Sequence, residues 1–292
     1  LTREAQLAML VSPIAERTNI MSEKKTLTKG QKARKAIIIV LCCLVGLVLV
    51  LLLGIRGYFR IPVSEYYKNS EKAFVIPGLS DGMTHQGLAY DSENDTFLIT
   101  GYRSDGNASQ VSVVSKADGK EVKRLNLANE DGSAFTGHVG GITVYGKYVY
   151  VADTDGLYAF NRSDIVDAAD GGSIKAVGLF KTSAAGDTLG VAFTHVEGDM
   201  IYVGEFYREE NYPTPDSHKY KTAAGDDNTA LILAYKLDAA APLGISDKIE
   251  CAYSARGLVQ GMCFDADGRI YLSTSYAVAF SHIYIYDATK EE

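Results

Sequence analysis

The pattern of apolar and polar positions divides the chain into two unlike parts. Residues 36–55 are 20 consecutive uncharged positions, mostly Ile, Leu and Val. From residue 72 onward the apolar residues come in short runs, often alternating with polar ones and rich in Tyr, Val and Ile. Gly, Asp and Asn separate these runs. A long apolar run predicts a membrane-spanning helix, whereas short alternating runs bounded by turn residues predict strands.

The strand region repeats. Gln86-Gly87-Leu88-Ala89-Tyr90, Gly140-Gly141-Ile142-Thr143-Val144, Leu189-Gly190-Val191-Ala192-Phe193 and Gln260-Gly261-Met262-Cys263-Phe264 each place a glycine before a short apolar run. A second strand follows each one: 96–102, 147–152, 199–206 and 269–275. The glycines at 87, 141, 190 and 261 lie 54, 49 and 71 residues apart. Several strands per unit at roughly this period predict a β-propeller, an all-β fold in which each repeat is one four-stranded blade, A to D. Blade 1 reads as 86–91, 96–102, 110–114 and 121–127. Blade 2 reads as 141–145, 147–152, 156–160 and 174–180. Blade 3 reads as 190–194, 199–206, 230–237 and about 247–253. Blade 4 offers 261–265, 269–275 and 282–287 but no D strand. Two alternatives stay open: Lys72–Ile76 supplies that strand and closes a four-bladed ring, or the sequence is a piece of a larger propeller.

Charge sharpens the division. Residues 1–35 hold eight Lys/Arg against three Asp/Glu, leaving 21 against 33 in residues 36–292. Residues 1–35 therefore read as a basic cytoplasmic tail, with 1–20 ahead of Met21 given no structural role. Residues 36–55 read as an uncleaved signal anchor, 56–71 as a stalk and 72–292 as the propeller, placed outside the cytoplasm. The acidic propeller is a poor match for nucleic acid, whose binding relies on Lys and Arg. The membrane, through residues 36–55, and a small-molecule or protein ligand are the expected partners. Cys251 and Cys263 fall on neighbouring expected strands, where a disulfide is one alternative and free thiols the other.

In a propeller the start of strand A and the end of strand B meet at one mouth of the central channel. That rule gathers Thr84, His85, Gln86, Tyr102 and Arg103 with His138, Asp153 and Asp155. It adds Asp187, Glu205, Tyr207 and Arg208 from blade 3, and Gln260, Ser273, Ser275 and Tyr276 from blade 4. His85, Gln86, Arg103, His138, Asp187, Glu205, Arg208 and Gln260 are the ligand-binding candidates. His85, His138, Asp187 and Glu205 are the residue types that would hold a divalent cation, whether Ca, Mg or Zn. His195, in the A–B turn of blade 3, and His282 read as structural. The insertion from Glu209 to Asn228 falls on the same mouth, as a lid or a surface loop. Asp153-Thr154-Asp155-Gly156 and Asp265-Ala266-Asp267-Gly268 read as hairpin turns.

The repeated Gly-apolar strand followed by Gly/Asp-x-Ile/Val-Tyr-Val resembles the broad superfamily of NHL, YVTN-like and SMP-30/gluconolactonase-like propellers. The resemblance implies the fold and, for function, either a binding module or a lactonase, esterase or lyase with a divalent cation at the channel mouth. The first of these is the expectation here, with the metal-dependent enzyme as its alternative.

Overall fold

The computed structural model describes residues 27–287 and contains two compact units, one up to Ser70 and one from Glu71. Residues 1–26, including the basic pair Lys24 and Lys25, and residues 288–292 lie outside the described residues.

The first unit is a 32-residue helix, α1 (Lys29–Arg60), followed by the single turn α2 (Ser64–Lys68). Thr28 starts α1 with a reciprocal cap: its hydroxyl accepts from the Gln31 amide at 3.3 Å, while Gln31 Oε1 accepts from the Thr28 amide at 3.0 Å. This satisfies two amides that a helix start otherwise leaves open. The helix has a mean hydropathy of 3.5 over its most apolar window and no buried residue, so it is long and apolar enough to cross a membrane. The expected stalk is thus partly helical. Arg60 lies over the Tyr67 ring at 4.4 Å, and Lys68 pairs with Glu65 at 2.7 Å.

The second unit is built of antiparallel blades in chain order. Blade 1 is β1 (Met83–Asp91), β2 (Thr96–Arg103), β3 (Gln110–Ser115) and β4 (Glu121–Ala128). Blade 2 is β5 (Ile142–Tyr145), β6 (Tyr148–Asp153), β7 (Gly156–Asn161), the short helix α3 (Arg162–Asp167) and β8 (Ser173–Phe180). A small hairpin, β9 (Ser183–Ala184) with β10 (Asp187–Thr188), leads into blade 3. That blade is β11 (Val191–Glu197), β12 (Met200–Glu205), β15 (Ala230–Leu237) and β16 (Ile245–Ala255). The minor hairpin β13 (Tyr220–Lys221) and β14 (Asp227–Asn228) lies in the insertion between β12 and β15. Blade 4 is β17 (Val259–Phe264), β18 (Arg269–Thr274) and β19 (His282–Asp287). Strand order matches the four expected repeats, and the fold is a β-propeller arc.

Three cores, one between each pair of successive blades, hold the arc together. Leu98, Leu125 and Leu127 of blade 1 pack with Val149, Val151 and Phe160 of blade 2. Tyr150 and Leu157 of blade 2 pack with Val191, Ile201 and Leu233 of blade 3. Phe193, Tyr202 and Ile232 of blade 3 pack with Met262, Ile270 and Leu272 of blade 4. Among the described residues no fourth core joins blade 4 to blade 1. Ile283 and Ile285 of β19 are exposed. Residues 72–76 form no strand; instead Phe74 packs on Phe97 of blade 1 with ring centroids 5.3 Å apart. Closure of the ring by that segment is therefore corrected: its apolar side chain covers the face of blade 1.

Two of the four repeated glycines, Gly87 and Gly141, have a steric cause. A Cβ at Gly87 would lie 2.7 Å from the Ile142 amide nitrogen and 2.8 Å from the Gly140 carbonyl, so the next inner strand could not pass. A Cβ at Gly141 would likewise lie 2.8 Å from the Thr194 amide of blade 3. Thr100, opposite Gly87, ties the two blades: its hydroxyl accepts from the Gly87 amide at 3.0 Å and donates to the Gly140 carbonyl at 2.7 Å. Each inner strand bulges at this point, at Gln86, Gly140, Ala192 and Gln260. Pairing makes Gly87↔Thr100, Gly261↔Ser273 and Phe193↔Gly204 equivalent. The counterpart in blade 3 is therefore Phe193, not Gly190. Blade 3 swaps the pair, placing the glycine on strand B beneath the Phe193 ring. That three-residue offset also displaces the residues read as preceding the third A strand.

Candidate functional site

Aromatic side chains from all four blades meet at one end of the channel. Tyr102, at the end of β2, and His138, ahead of β5, have ring centroids 3.9 Å apart. His138 lies 6.5 Å from Tyr212 of the insertion, and Tyr212 lies edge-on to Phe206 at 5.3 Å. Phe206 follows β12 and stacks at 6.4 Å on Tyr276, which follows β18. Arg208 lies over the Tyr276 ring at 4.4 Å. All five rings are partly or fully exposed. The end-of-B, start-of-A rule thus gathers Tyr102, His138, Arg208 and Tyr276 as expected. Phe206 and Tyr212 complete the arc, and the aromatic content of the B–C insertion was the available signal for the second.

The remaining candidates are dispersed. Gln86 and Gln260 are the bulged residues of their strands and line the channel itself, a cavity of about 390 Å³ between the four inner strands. His195 lines the same cavity, 3.4 Å from Glu197, and its burial lowers its pKa against the opposing pull of that carboxylate. His195 stands within β11, opposite Tyr202, and not in the turn expected for it. Arg103 turns to Asp105, which it holds through Nε at 3.1 Å and Nη2 at 2.6 Å. It lines a separate hollow of about 480 Å³ with Asn107, Gln110 and Asn126. The Arg103 guanidinium keeps the Asp105 carboxyl well below the usual carboxylate range.

The four cation-ligand candidates do not form a set. Asp187 stands exposed on the β9–β10 hairpin and accepts from Ser217 Oγ at 2.5 Å. Glu205 is 2 % exposed and both its oxygens are used: Oε1 faces His218 Nδ1 at 2.9 Å, and Oε2 accepts from the Leu231 amide at 2.9 Å. His85 sits opposite Gly101 with its buried Nε2 unpartnered, while His138 belongs to the aromatic arc. Among the described residues no three His, Cys, Asp or Glu side chains come together in a metal-holding group. The blade 3 offset carries Asp187 out to a hairpin, while Glu205 takes the place on β12 that Gly101 holds on β2 and is buried within the blade.

Asp153 closes the β6–β7 hairpin as expected, opposite Gly156, but its environment is unusual. It is 8 % exposed and its Oδ1 has no partner. Burial raises its pKa, the neighbouring Asp155 adds to the rise, and His138 opposes it. The Asp265 turn is an ordinary one, its carboxylate accepting from the amides of Asp267 and Arg269 at 3.0 and 2.9 Å. His282 opens β19, as read. Cys251 and Cys263 are free thiols, on the outer strand of blade 3 and the inner strand of blade 4, so the disulfide alternative is corrected.

No family model matches the chain, and no curated protein matches it. Solved structures of similar fold include the computationally designed Ika4 protein, at 9% identity over 75% of this chain and 99% of that one, with a TM-score of 0.33. Glutaminyl cyclase from Myxococcus xanthus is 11% identical over 70% of this chain and 75% of that one, with a TM-score of 0.41. The calcium-binding protein regucalcin from Agrobacterium tumefaciens is 11% identical over 65% and 67%, with a TM-score of 0.32. The likeness is one of fold, and the chain is a β-propeller with an N-terminal helix able to span a membrane.

Proposed function

We propose that this chain is a single-pass, membrane-tethered β-propeller that binds a ligand at the ring-lined end of its channel. Its N-terminus would lie in the cytoplasm and its blades outside. The observation that supports the binding reading is the continuous arc Tyr102–His138–Tyr212–Phe206–Tyr276, to which every blade contributes. Clustered, solvent-accessible aromatic faces supply large apolar contact area for a ligand. Arg208 is already neutralised by Glu210 at 2.5 Å, so the arc suits a neutral ligand with flat apolar faces, a sugar or an aromatic ring. The tether and its orientation are supported by the helix length and by Lys29, Lys32, Arg34 and Lys35 ahead of the apolar run.

The test is saturation-transfer NMR on the detergent-solubilised full chain against oligosaccharides and small aromatics. Hits should weaken when Tyr102 or Tyr276 becomes Ala. A library without hits, or hits indifferent to both changes, rejects the site. Orientation is read by protease shaving of intact cells, and a propeller protected until lysis reverses it.

A further inference from the structure

The segment after the apolar run carries more exposed apolar surface than a spacer needs. Ile61 is 72% exposed, Tyr66 65% and Tyr67 48%, all of them beyond residues 36–55. A link that only sets a distance is served by polar, well-hydrated residues. Exposed tyrosines beside a span fit the zone where hydrocarbon gives way to headgroups, because each has an apolar body and a polar tip.

The helix sets the depth. At about 1.5 Å per residue, residues 36–55 cover the ~30 Å hydrocarbon core and leave the last turn of α1, residues 56–60, at headgroup level. The Ile61 amide still bonds the Gly57 carbonyl at 2.9 Å, but Pro62 has no amide hydrogen to continue the ladder. The chain turns there into α2. Its Tyr67 amide bonds the Val63 carbonyl at 3.3 Å, and Asn69 closes it with an amide and a side-chain bond to the Glu65 carbonyl at 3.1 and 3.0 Å. The Arg60 guanidinium lies over the Tyr67 ring at 4.4 Å, and Tyr66 meets Tyr67 edge-on at 5.7 Å. α2 therefore packs against the end of α1 and does not stand clear of it.

We propose that residues 56–68 form an interfacial seat lying in the lipid headgroup layer, with Ile61, Tyr66 and Tyr67 toward the acyl chains and Arg56 and Arg60 among the phosphates. The proposal rests on the reading of α1 as a membrane span. Two observations point to lipid as the occupant. The patch is continuous with the apolar run, and its charge is basic, with Arg56, Arg60 and Lys68 against Glu65. Lys68 is already paired with Glu65 at 2.7 Å, which leaves the two guanidinium groups for phosphate oxygens. Seated in this way, the segment belongs to the anchor, and the stalk proper is shorter than the sequence implies.

The chain contains no Trp, so a single introduced one reports its own depth. Tyr67→Trp and Leu47→Trp are made separately in the full chain, both at exposed positions where no core is disturbed. Each variant is reconstituted into phosphatidylcholine vesicles that are unbrominated, brominated near the headgroup, or brominated near the bilayer centre. Bromine quenches indole fluorescence only at close range. Leu47→Trp, in mid-span, should lose emission mainly to the deep bromines. Tyr67→Trp should lose emission mainly to the shallow ones. If Leu47→Trp is quenched while Tyr67→Trp stays as bright as in unbrominated lipid, the seat is overturned and the span stands. Stronger loss of Tyr67→Trp emission to the deep bromines also overturns the seat. Leu47→Trp unquenched in both brominated lipids rejects the span itself, and the seat with it.

Discussion

Blades 1 and 2 differ from blades 3 and 4 in how they are joined. The outer strands of blades 1 and 2 pair with each other in parallel, Asn126 opposite Ser173 and Leu127 opposite Ile174, so eight strands form one sheet. Arg162 of α3 crosses from blade 2 to reach Asp91 of blade 1, donating through Nε at 2.9 Å and again through Nη2. Lys123 adds bonds to the carbonyls of Val166 and Ala168 at 2.6 and 2.9 Å. Blades 3 and 4 have an apolar core between them but no shared sheet, and β19 leaves Ile283 and Ile285 exposed. The long insertion also belongs to this half. The ring arc draws Tyr102 and His138 from the sheet-linked half and Tyr212, Phe206 and Tyr276 from the other. One half is a single continuous sheet, and the other is two separate sheets joined through side chains.

The largest expected effect breaks the joint of the first half. Arg162→Ala leaves Asp91, 2 % exposed, without its counter-ion and should lower stability by about 3–5 kcal/mol in denaturant unfolding. Burial disfavours the Asp91 carboxylate, but hydrogen bonds from Arg162 and Asn94 outweigh it and keep its pKa below the usual range. That contribution is present above the unfolded carboxylate pKa and is lost as pH falls through the lower folded one. The penalty of Arg162→Ala should therefore shrink in acid. A smaller effect of opposite sign is expected at Asp153. Its raised pKa means that ionisation weakens the fold as pH rises past the unfolded carboxylate pKa. Asp153→Asn should therefore stabilise by about 1 kcal/mol at pH 7 and by little at pH 3, as read by thermal melts. The smallest belongs to blade 4: Ile285→Ala, at a position 55% exposed, should stay within about 0.5 kcal/mol of the unaltered chain.

Strand order was legible because alternation and Asp-Gly turns are local signals. Gly119, with φ of 67°, lies in the Asp118-Gly119 turn from β3 into β4. The blade 3 register was not legible, since Phe193 and Gly204 exchange roles that Gly87 and Thr100 play elsewhere, and only the pairing reveals it. The β4–β8 pairing was hidden for a similar reason: nothing in Asn126-Leu127-Ala128 marks a strand whose neighbour lies in another blade. Of the site, Tyr102, His138, Arg208 and Tyr276 followed from topology alone. Tyr212 did not, because it lies in the insertion, which follows no repeat.

If the two halves present one binding surface, as proposed, a double-mutant comparison at its two ends reveals it. Affinity for a sugar or aromatic hit is measured by titration for the unaltered chain, Tyr102→Ala, Tyr276→Ala and the pair. Each single change should weaken binding about tenfold or more, as loss of a buried ring contact does. Binding that depends on Tyr102 and is untouched by Tyr276→Ala, or the reverse, would show a site confined to one half and contradict it.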